Sequence, residues 1–272
     1  MAMLDNAKMS DVYLWIADLD QLQGGFAQYQ SFLSADEYAR AGRFRFQHDR
    51  VRFVSARGLL RAILATHLDT EPNLIRFLAP PGEKPQLLQT VEGGQLRFSL
   101  ARTSDSVLIG VTRGREIGVD LESTQSGIDI ETTAPAVFSK HELRLWYATP
   151  PERRQELFFI AWTRKEALGK AEGCGIAEGP DTIEVPMGNL PADRWIGVKG
   201  RQASSRWMMS SLVPAPRMLG CVVVETLPGE TPGDRYRDIE PDGEARLLPG
   251  GPSIHVPPQA RLIVRSFETG GE

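Results

Sequence analysis

The sequence predicts an α+β fold of two similar halves, each a small, mostly antiparallel sheet packed with a long helix. Apolar side chains at helical spacing predict two long helices, near 49–67 and near 153–170. Each is followed by a run of short strands, and separate runs of helices and strands are typical of α+β folds. We therefore predict a first half at 1–114, a second half at 115–226 and an extension at 227–272, although no sequence repeat is strong enough to prove a duplication.

The first half begins with a predicted strand at Val12–Ile16, and the segment 21–32 stays undecided. Ser34, followed three residues later by Glu37, forms a capping box and predicts a short helix running toward residue 43. The long helix 49–67 carries an apolar stripe made of Phe53, Ala56, Leu60, Ile63 and Leu64. Further strands are predicted at 73–78, 96–100, 107–112 and 117–122, the last three as a β-meander centred on residue 110.

The second half contains another capping box, in which Ser139 and Glu142 open a helix through Trp146. Two prolines at 150–151 precede the second long helix, and glycines at 173 and 175 end it. Four more strands are predicted, at 182–185, 195–199, 206–212 and 220–224. Seven prolines and five glycines between 227 and 260 predict an irregular, partly disordered segment, and one late strand follows at 261–267.

Composition excludes several classes of function. The 272 residues carry a net charge of −4, which gives no general attraction to nucleic acid or to a membrane. The two cysteines, Cys174 and Cys221, belong to no metal-binding or redox pair, so we interpret them as small buried side chains. The first ten residues lack the apolar core of a secretory signal, and the apolar runs are too short to span a bilayer. We expect a cytoplasmic protein, and a monomer.

The segment 117–122 is the sharpest local signal for chemistry. On a strand, Asp120 and Glu122 point to one face, about 7 Å apart, while Val119 and Leu121 point to the other face and into a core. Two carboxylates on one face repel each other unless a cation lies between them, and hard oxygen ligands of this kind suit Mg²⁺. Gly118 admits a ligand or another backbone. The alternative is a strand with a solvated acidic face.

The helix 158–170 places an acid among aromatic side chains. Phe159, Trp162, Glu166 and Lys170 share one face, and apolar side chains cover most of the remaining surface. A buried Glu166 requires a cation or a hydrogen-bond donor beside it. The alternative is an ordinary surface pair between Glu166 and Lys170.

The first long helix is rich in arginine. Arg52 lies at the edge of its apolar stripe, where a guanidinium can reach a phosphate in a pocket. The alternative is that the stem of Arg52 covers the core while its head reaches water. Arg57 and Arg61 are predicted to be surface charges.

Two of these segments together resemble the Sfp-type 4′-phosphopantetheinyl transferase family. The family's G-[IV]-D-[LIV]-E strand corresponds to Gly118–Glu122, and its W-x-x-K-E-[AS]-x-x-K helix corresponds to Trp162–Lys170. The 39 residues between them are typical of the family. Weaker agreements are Arg43-Phe44, Lys84-Pro85 and Phe138–Glu142. The resemblance covers about residues 10–226 and leaves out the extension.

The resemblance implies an enzyme that transfers the 4′-phosphopantetheine group of coenzyme A to a serine of an acyl or peptidyl carrier protein and releases 3′,5′-ADP. It also implies two halves related by pseudo-twofold symmetry, with coenzyme A in the cleft between them. By the same resemblance, Asp120, Glu122 and Glu166 would ligate Mg²⁺, with Mn²⁺ as an alternative. Glu166 would also take the proton from the carrier serine.

The resemblance further assigns basic residues to coenzyme A. Lys165 and Lys170 would meet the diphosphate or its leaving group, and Lys170 would thereby take part in catalysis. Arg52 and Lys84 would hold the 3′-phosphoadenosine end.

One segment departs from the family pattern. The family usually shows F-N-x-S-H-S, whereas this chain has the residues Phe98-Ser-Leu-Ala-Arg-Thr103. Arg102 therefore stands where the family has a histidine that contacts the 3′-phosphate, and Ala101 replaces the serine before it. Arg102 can make the same contact with a permanent charge, or it can point elsewhere and reduce the affinity for coenzyme A.

Two other functions remain open from the sequence. A non-catalytic protein that binds coenzyme A or a carrier protein would explain the departure at Ala101 and Arg102. A different Mg²⁺-dependent enzyme acting on phosphates, such as a phosphohydrolase, would share the carboxylates without requiring Lys165 and Lys170 beside Glu166. The chain has no GxxxxGK[ST] loop, so P-loop chemistry is not supported.

Overall fold

The structure, a computed structural model, describes residues 12–78, 84–88, 95–173, 179–189, 195–201, 206–228, 230, 236–239 and 261–267. The helices in these ranges are α1 (Phe26–Phe32), α2 (Ala35–Ala41), α3 (Gln47–Leu68), α4 (Ile130–Val137), α5 (Lys140–Ala148) and α6 (Pro151–Glu172). Short 3₁₀ turns lie at Gln23–Gly25, Pro72–Leu74 and Pro180–Thr182.

The strands in the same ranges are β1 (Val12–Asp18), β2 (Phe77–Leu78), β3 (Gln86–Leu87), β4 (Leu96–Arg102), β5 (Ser106–Arg113), β6 (Ile117–Ser123), β7 (Ile196–Lys199), β8 (Arg206–Ala215), β9 (Met218–Glu225), β10 (Tyr236–Ile239) and β11 (Arg261–Phe267). All the strand pairs are antiparallel. The α+β prediction is therefore confirmed. None of the described helices is both long and apolar enough to cross a membrane.

Three apolar clusters stack the molecule into four layers. The first joins α3 to one face of the first sheet, and the second joins α6 to one face of the second sheet. The third lies between the two sheets and contains Leu14 and Leu108 from one sheet with Val119 and Val222 from the other. Each half thus consists of a 22-residue helix on an antiparallel sheet, and the halves meet sheet to sheet. Their pseudo-twofold relation stays a prediction.

The first sheet has the order β10-β11-β1-β5-β4 and includes strands from the end of the chain. Strand β11 pairs with β1, which places Ile263 opposite Leu14. The predicted late strand at 261–267 is confirmed, and β10 is an additional strand within the Pro/Gly-rich segment. Arg115 is 1% exposed and forms an ion pair with Glu230. The extension therefore contributes two strands to the first sheet and a buried acidic partner to Arg115, the first residue of the second half.

The second sheet has the order β6-β9-β8-β7, and this corrects the predicted meander. Strands β4 and β5 form the expected hairpin, but β6 pairs with β9 instead of continuing beside β5. The physical reason lies at Gly110 on β5. A Cβ atom there would lie 2.7 Å from side-chain carbons of Ile117 and Val119, so β6 packs on the face of β5 rather than at its edge.

Local turn chemistry was predicted with mixed success. Both capping boxes are confirmed, with Ser34 and Ser139 as the N-caps, and Gly173 ends α6 in a left-handed conformation at φ 83°. The segment 73–78 begins in a 3₁₀ turn and reaches a strand only in its last two residues, β2, and 182–185 contains no strand. Helix α4 was not predicted, because its eight residues include an internal proline. The predicted stop at Gly175 lies outside the described residues.

Candidate active site

Helix α6 lies directly on strand β6, and at Gly118 the two backbones come so close that no side chain fits between them. A Cβ atom on Gly118 would lie 1.9 Å from the carbonyl oxygen of Ala167 and 2.4 Å from the amide nitrogen of Ala171. The prediction that Gly118 admits another backbone is confirmed, and that backbone is α6. Because Asp120 and Glu122 follow on the same face of β6, their carboxylates also face α6.

Asp120 is nearly buried, with 4% of its surface exposed. Nζ of Lys170 donates a hydrogen bond of 2.7 Å to Oδ1 of Asp120. No described residue donates a hydrogen bond to the other oxygen, Oδ2, which is also buried. Burial raises the pKa of the Asp120 carboxyl, and the charge of Lys170 opposes that rise. A buried carboxylate oxygen without a donor is costly, and a cation would compensate it.

Glu122 is held by the indole of Trp162. Nε1 of Trp162 donates a hydrogen bond of 3.1 Å to Oε1 of Glu122, and the indole stacks on the ring of Phe158. Burial, followed by the charge of Asp120, raises the pKa of Glu122 to about 7, and Glu166 contributes in the same direction. The hydrogen bond from Trp162 and the charge of Lys170 partly offset this rise. Trp162 thus orients a carboxylate that would otherwise be repelled by its neighbours.

Glu166 completes the cluster from α6. Burial and the charge of Asp120 raise the pKa of the Glu166 carboxyl, whereas Lys170 lowers it. The structure therefore brings Asp120, Glu122 and Glu166 within reach of one another's charges. The solvated acidic face left open by the sequence is not observed, because Asp120 is buried. The surface pair of Glu166 with Lys170 is replaced by the ion pair of Lys170 with Asp120.

The chemistry of this cluster fits a hard divalent cation. Within the described ranges, no three His, Cys, Asp or Glu side chains are already grouped tightly around one metal position. The donor set is nevertheless suitable, since it offers three carboxylates, two of them from adjacent positions on one strand face. Their mutual repulsion and the unpartnered Oδ2 of Asp120 are both relieved by a positive charge. In this structure the ammonium of Lys170 is the charge that stands beside Asp120.

Lys165 does not point toward the carboxylate cluster, although the sequence predicted that it would contact the diphosphate there. Its side chain is fully buried, and Nζ lies 2.7 Å from Oε2 of Glu142 on α5. It also donates hydrogen bonds to the carbonyl oxygens of Pro180 and Ile183. Burial lowers the pKa of Lys165, and Glu142 opposes that change. Consecutive residues of a helix point about 100° apart, so the ammonium of Lys165 and the carboxylate of Glu166 serve different sides of α6.

Lys84 and Arg52 lie in the first half, and both already have acidic partners. Nζ of Lys84 lies 3.1 Å from Oε2 of Glu116 and donates a 2.6 Å hydrogen bond to the carbonyl oxygen of Ile117. Lys84 thereby touches the start of β6, one residue before Gly118. Arg52 forms a two-point ion pair with Asp20, through Nε at 2.8 Å and Nη2 at 2.6 Å.

Arg102 is exposed at the end of β4. Partial burial lowers its pKa, and the charges of Arg40 and Arg52 act in the same direction, opposed by Asp49. Arg102 therefore shares its surroundings with two other guanidinium groups. Sequence reasoning missed Arg40, because α2 and β4 are remote in the chain and carry no common motif.

The prediction of Arg61 as a surface charge was wrong, since Arg61 is 1% exposed. Its Nε donates to Oε2 of Glu37, and its Nη1 donates to the carbonyl oxygens of Pro72 and Ile75. Three acceptor contacts, one from α2 and two from the 3₁₀ turn and the residue after it, satisfy this guanidinium inside the first half. The helical position of Arg61 gave no sign of these partners, which come from segments on either side of α3.

Comparison with known proteins gives a consistent result. The sequence model of the 4′-phosphopantetheinyl transferase superfamily matches residues 116–213, a range that includes β6 and α6. The chain is 35% identical over 214 residues to the 4′-phosphopantetheinyl transferase HetI of Nostoc, which covers 79% of this chain and 87% of the relative.

Two further relatives agree with this match. A putative 4′-phosphopantetheinyl transferase of Synechocystis is 33% identical over 67% of this chain and 73% of its own length. The 4′-phosphopantetheinyl transferase Sfp of Bacillus subtilis is 25% identical over 59% of this chain and 69% of its own length.

Proposed function

Because this chain belongs to the 4′-phosphopantetheinyl transferase superfamily, we propose that it transfers the 4′-phosphopantetheine group of coenzyme A to a serine of an acyl or peptidyl carrier protein. The reaction depends on Mg²⁺ or Mn²⁺ and releases 3′,5′-ADP. The observation that carries this proposal is the joining of Asp120 and Glu122 on β6 with Glu166 and Lys170 on α6. The relatives reported above are named as transferases, which favours an enzyme over a binding protein.

Asp120, Glu122 and Glu166 would hold the divalent cation. When bound, such an ion neutralises phosphate charge in the transition state of phosphoryl transfer. The pKa values of all three carboxyls are raised in the chain alone. Ligation of a cation favours their ionised forms, so we expect a proton to leave the cluster when the metal enters.

Glu166 is the group best suited to accept the proton of the carrier serine. Only the ionised carboxylate can accept that proton, and Glu166 is expected to be ionised when the cation is bound. In the reaction, the serine oxygen forms a bond to the β-phosphorus of coenzyme A, and the bond from that phosphorus to the bridging oxygen breaks. The serine proton passes to Glu166, and the electron pair of the broken bond leaves on 3′,5′-ADP.

Lys170 stabilises the phosphate charge from the side of α6. Its ammonium lies 2.7 Å from Oδ1 of Asp120 and 29% of its side chain is exposed, so it can turn from that carboxylate toward a bound diphosphate. A lysine in this position acts as a compact point charge for phosphate oxygens. Lys170 therefore binds the diphosphate and the leaving group, in addition to holding Asp120 in the free protein.

Arg52, Lys84 and Arg102 are proposed to hold the 3′-phosphoadenosine end. Arg102 is the most accessible of the three, and the nearby Arg40 adds to the positive potential there. Arg52 and Lys84 are charged groups already fixed by Asp20 and Glu116, which pre-orients them for an anion. A guanidinium at position 102 keeps its charge at every physiological pH, unlike the histidine that is common in the family.

The transfer reaction is tested by mass spectrometry of apo carrier proteins incubated with this chain, coenzyme A and Mg²⁺. The expected result is the mass gain of one phosphopantetheine on the carrier serine. Glu166→Gln should reduce the rate by at least about a hundredfold, because a general base typically contributes that much. Glu156→Gln, an exposed glutamate on the same helix, serves as the matched control and should retain the activity of the unmodified chain. Equal rates for the two variants would contradict the role of Glu166.

A further inference from the structure

The buried ammonium of Lys165 ties together three segments around α6. Its partner Glu142 is itself 1% exposed and accepts hydrogen bonds of 2.8 Å from the backbone nitrogens of Ser139 and Val185. Lys165 also donates hydrogen bonds to the carbonyl oxygens of Pro180 and Ile183. One ion pair therefore connects α6 to the N-terminus of α5 and to the segment 180–185. A buried pair of this kind is stable only because every charge in it is compensated.

The first half contains the same arrangement around α3. Arg61 binds Glu37, which caps α2, and the carbonyl oxygens of Pro72 and Ile75, which flank a 3₁₀ turn. In each half the acid is the third residue of the short helix before the long one and closes that helix's capping box. In each half the two carbonyls belong to a proline and to the residue three positions later. We call these two sites the Arg61 lock and the Lys165 lock.

The two locks differ in what lies next to them on the helix. Lys165 is followed by Glu166, which belongs to the carboxylate cluster, whereas Arg61 has no neighbour in that cluster. From this difference we infer that Lys165 is a positioning residue: by fixing the rotation and depth of α6, the Lys165 lock holds Glu166 against Asp120. Lys165 does not contact the diphosphate. This inference rests on the proposed function of the cluster.

Three possible roles for Lys165 predict different results when the ion pair of Lys165 with Glu142 is broken by substitution. If Lys165 binds the diphosphate, its substitution would raise the KM for coenzyme A, and substitution of Glu142 would not have the same effect. A merely structural pair would lower the melting temperature and leave metal binding and kcat of the folded protein unchanged. A positioning residue lowers kcat and weakens metal binding, leaves the KM for coenzyme A unchanged, and gives the same loss when Glu142 is changed instead.

The experiment compares Lys165→Met, Glu142→Gln and their double variant with Arg61→Met as the matched control. Mn²⁺ binding is measured by electron paramagnetic resonance on the full chain without coenzyme A, together with the melting temperature and the steady-state constants for transfer. Lys165→Met is expected to raise the dissociation constant for Mn²⁺ about tenfold and to lower kcat about a hundredfold. The double variant should show no further loss. Arg61→Met should lower the melting temperature yet bind Mn²⁺ like the unmodified chain.

The results of these measurements distinguish a positioning role of Lys165 from the two other roles. Unchanged Mn²⁺ binding with a lowered melting temperature, or a raised KM for coenzyme A, would overturn it. If Lys165→Met does not fold, Glu142→Gln alone carries the test, since it keeps the volume and an acceptor while removing the charge. If the unmodified chain binds Mn²⁺ but modifies no carrier protein, the proposed reaction fails while the positioning of Glu166 is still measured by the metal titration.

Discussion

Substitution of Gly118 by alanine perturbs the contact that brings α6 onto the carboxylates of β6. The added Cβ atom would lie 1.9 Å from the carbonyl oxygen of Ala167, whereas ordinary van der Waals contact begins at 3.4 Å. The three atoms that it meets, the carbonyl oxygen and carbon of Ala167 and the amide nitrogen of Ala171, are helix backbone and cannot rotate away. The helix must therefore shift by about 1.5 Å locally to accommodate the methyl group.

The expected cost has two parts. Overpacking of a filled core destabilises a protein by about 1–3 kcal/mol. Glu166 immediately precedes Ala167, so the shift moves its carboxylate away from Asp120, and a misplacement of about 1 Å reduces a reaction rate by about a hundredfold. Gly118→Ala should therefore lower the melting temperature moderately and kcat severely.

The assay measures transfer of phosphopantetheine to an apo carrier protein by mass spectrometry, at a temperature where circular dichroism shows each variant folded. Gly58→Ala is the matched control, because its Cβ would lie 2.5 Å from Cβ of Tyr29 and so strains the contact between α3 and α1. It should lose stability and keep its kcat. A folded Gly118→Ala variant with unchanged kcat would refute the dependence of the site on close packing of α6.

Three further predictions concern separate parts of the molecule. Trp162→Phe removes the hydrogen bond to Glu122 while keeping an aromatic ring, and should weaken Mn²⁺ binding about tenfold by titration, since a bond to a charged acceptor is worth about 1.5–3 kcal/mol. Burial and the charge of a neighbouring arginine lower the pKa of His67 to about 4. The unfolded chain therefore binds a proton between about pH 6.5 and 4 that the folded state excludes, so His67 alone lowers the free energy of unfolding by about 2 kcal/mol from pH 7 to 5, while the raised pKa of Glu122 acts in the opposite direction. The change in the free energy of unfolding over this range, measured with urea, should therefore be about 2 kcal/mol more negative for the unmodified chain than for His67→Leu. Glu230→Gln removes the charge of the buried carboxylate beside Arg115 and should lower the melting temperature in thermal unfolding. The decrease should be larger than that caused by removing one partner of an exposed ion pair, because the charge of Arg115 stays buried without compensation.

The sequence predicted the features that depend on short stretches of chain. Both capping boxes, the long helices and the hairpin of β4 and β5 follow from residues within one or two turns of each other, and all are observed. The same holds for the alternation that puts Asp120 and Glu122 on one face of β6. These are local effects, since backbone periodicity and caps act over three or four residues.

Pairing between strands that are distant in the sequence was beyond the reach of the sequence pattern. The order β4, β5, β6 along the chain suggested a meander, but the side chains of β6 pack on the face of β5 and its backbone pairs with β9, about a hundred residues away. The late strand β11 was predicted as a strand, yet nothing local showed that it would pair with β1. A strand's hydrogen-bonding edge is the same whatever partner it meets, so only the complete packing selects the neighbour.

Lys165 and Lys170 separate what the sequence determined from what the tertiary structure decided. The motif in α6 placed Lys165, Glu166 and Lys170 within six residues of one another, and the sequence treated both lysines as phosphate ligands. The tertiary structure separates them: Lys170 turns to Asp120 on β6, and Lys165 turns to Glu142 and two carbonyl groups on the other side. The sequence determined which charges are present and on which element. Their partners were decided by burial, because a charge removed from water must be compensated by whichever groups the fold brings within hydrogen-bond distance.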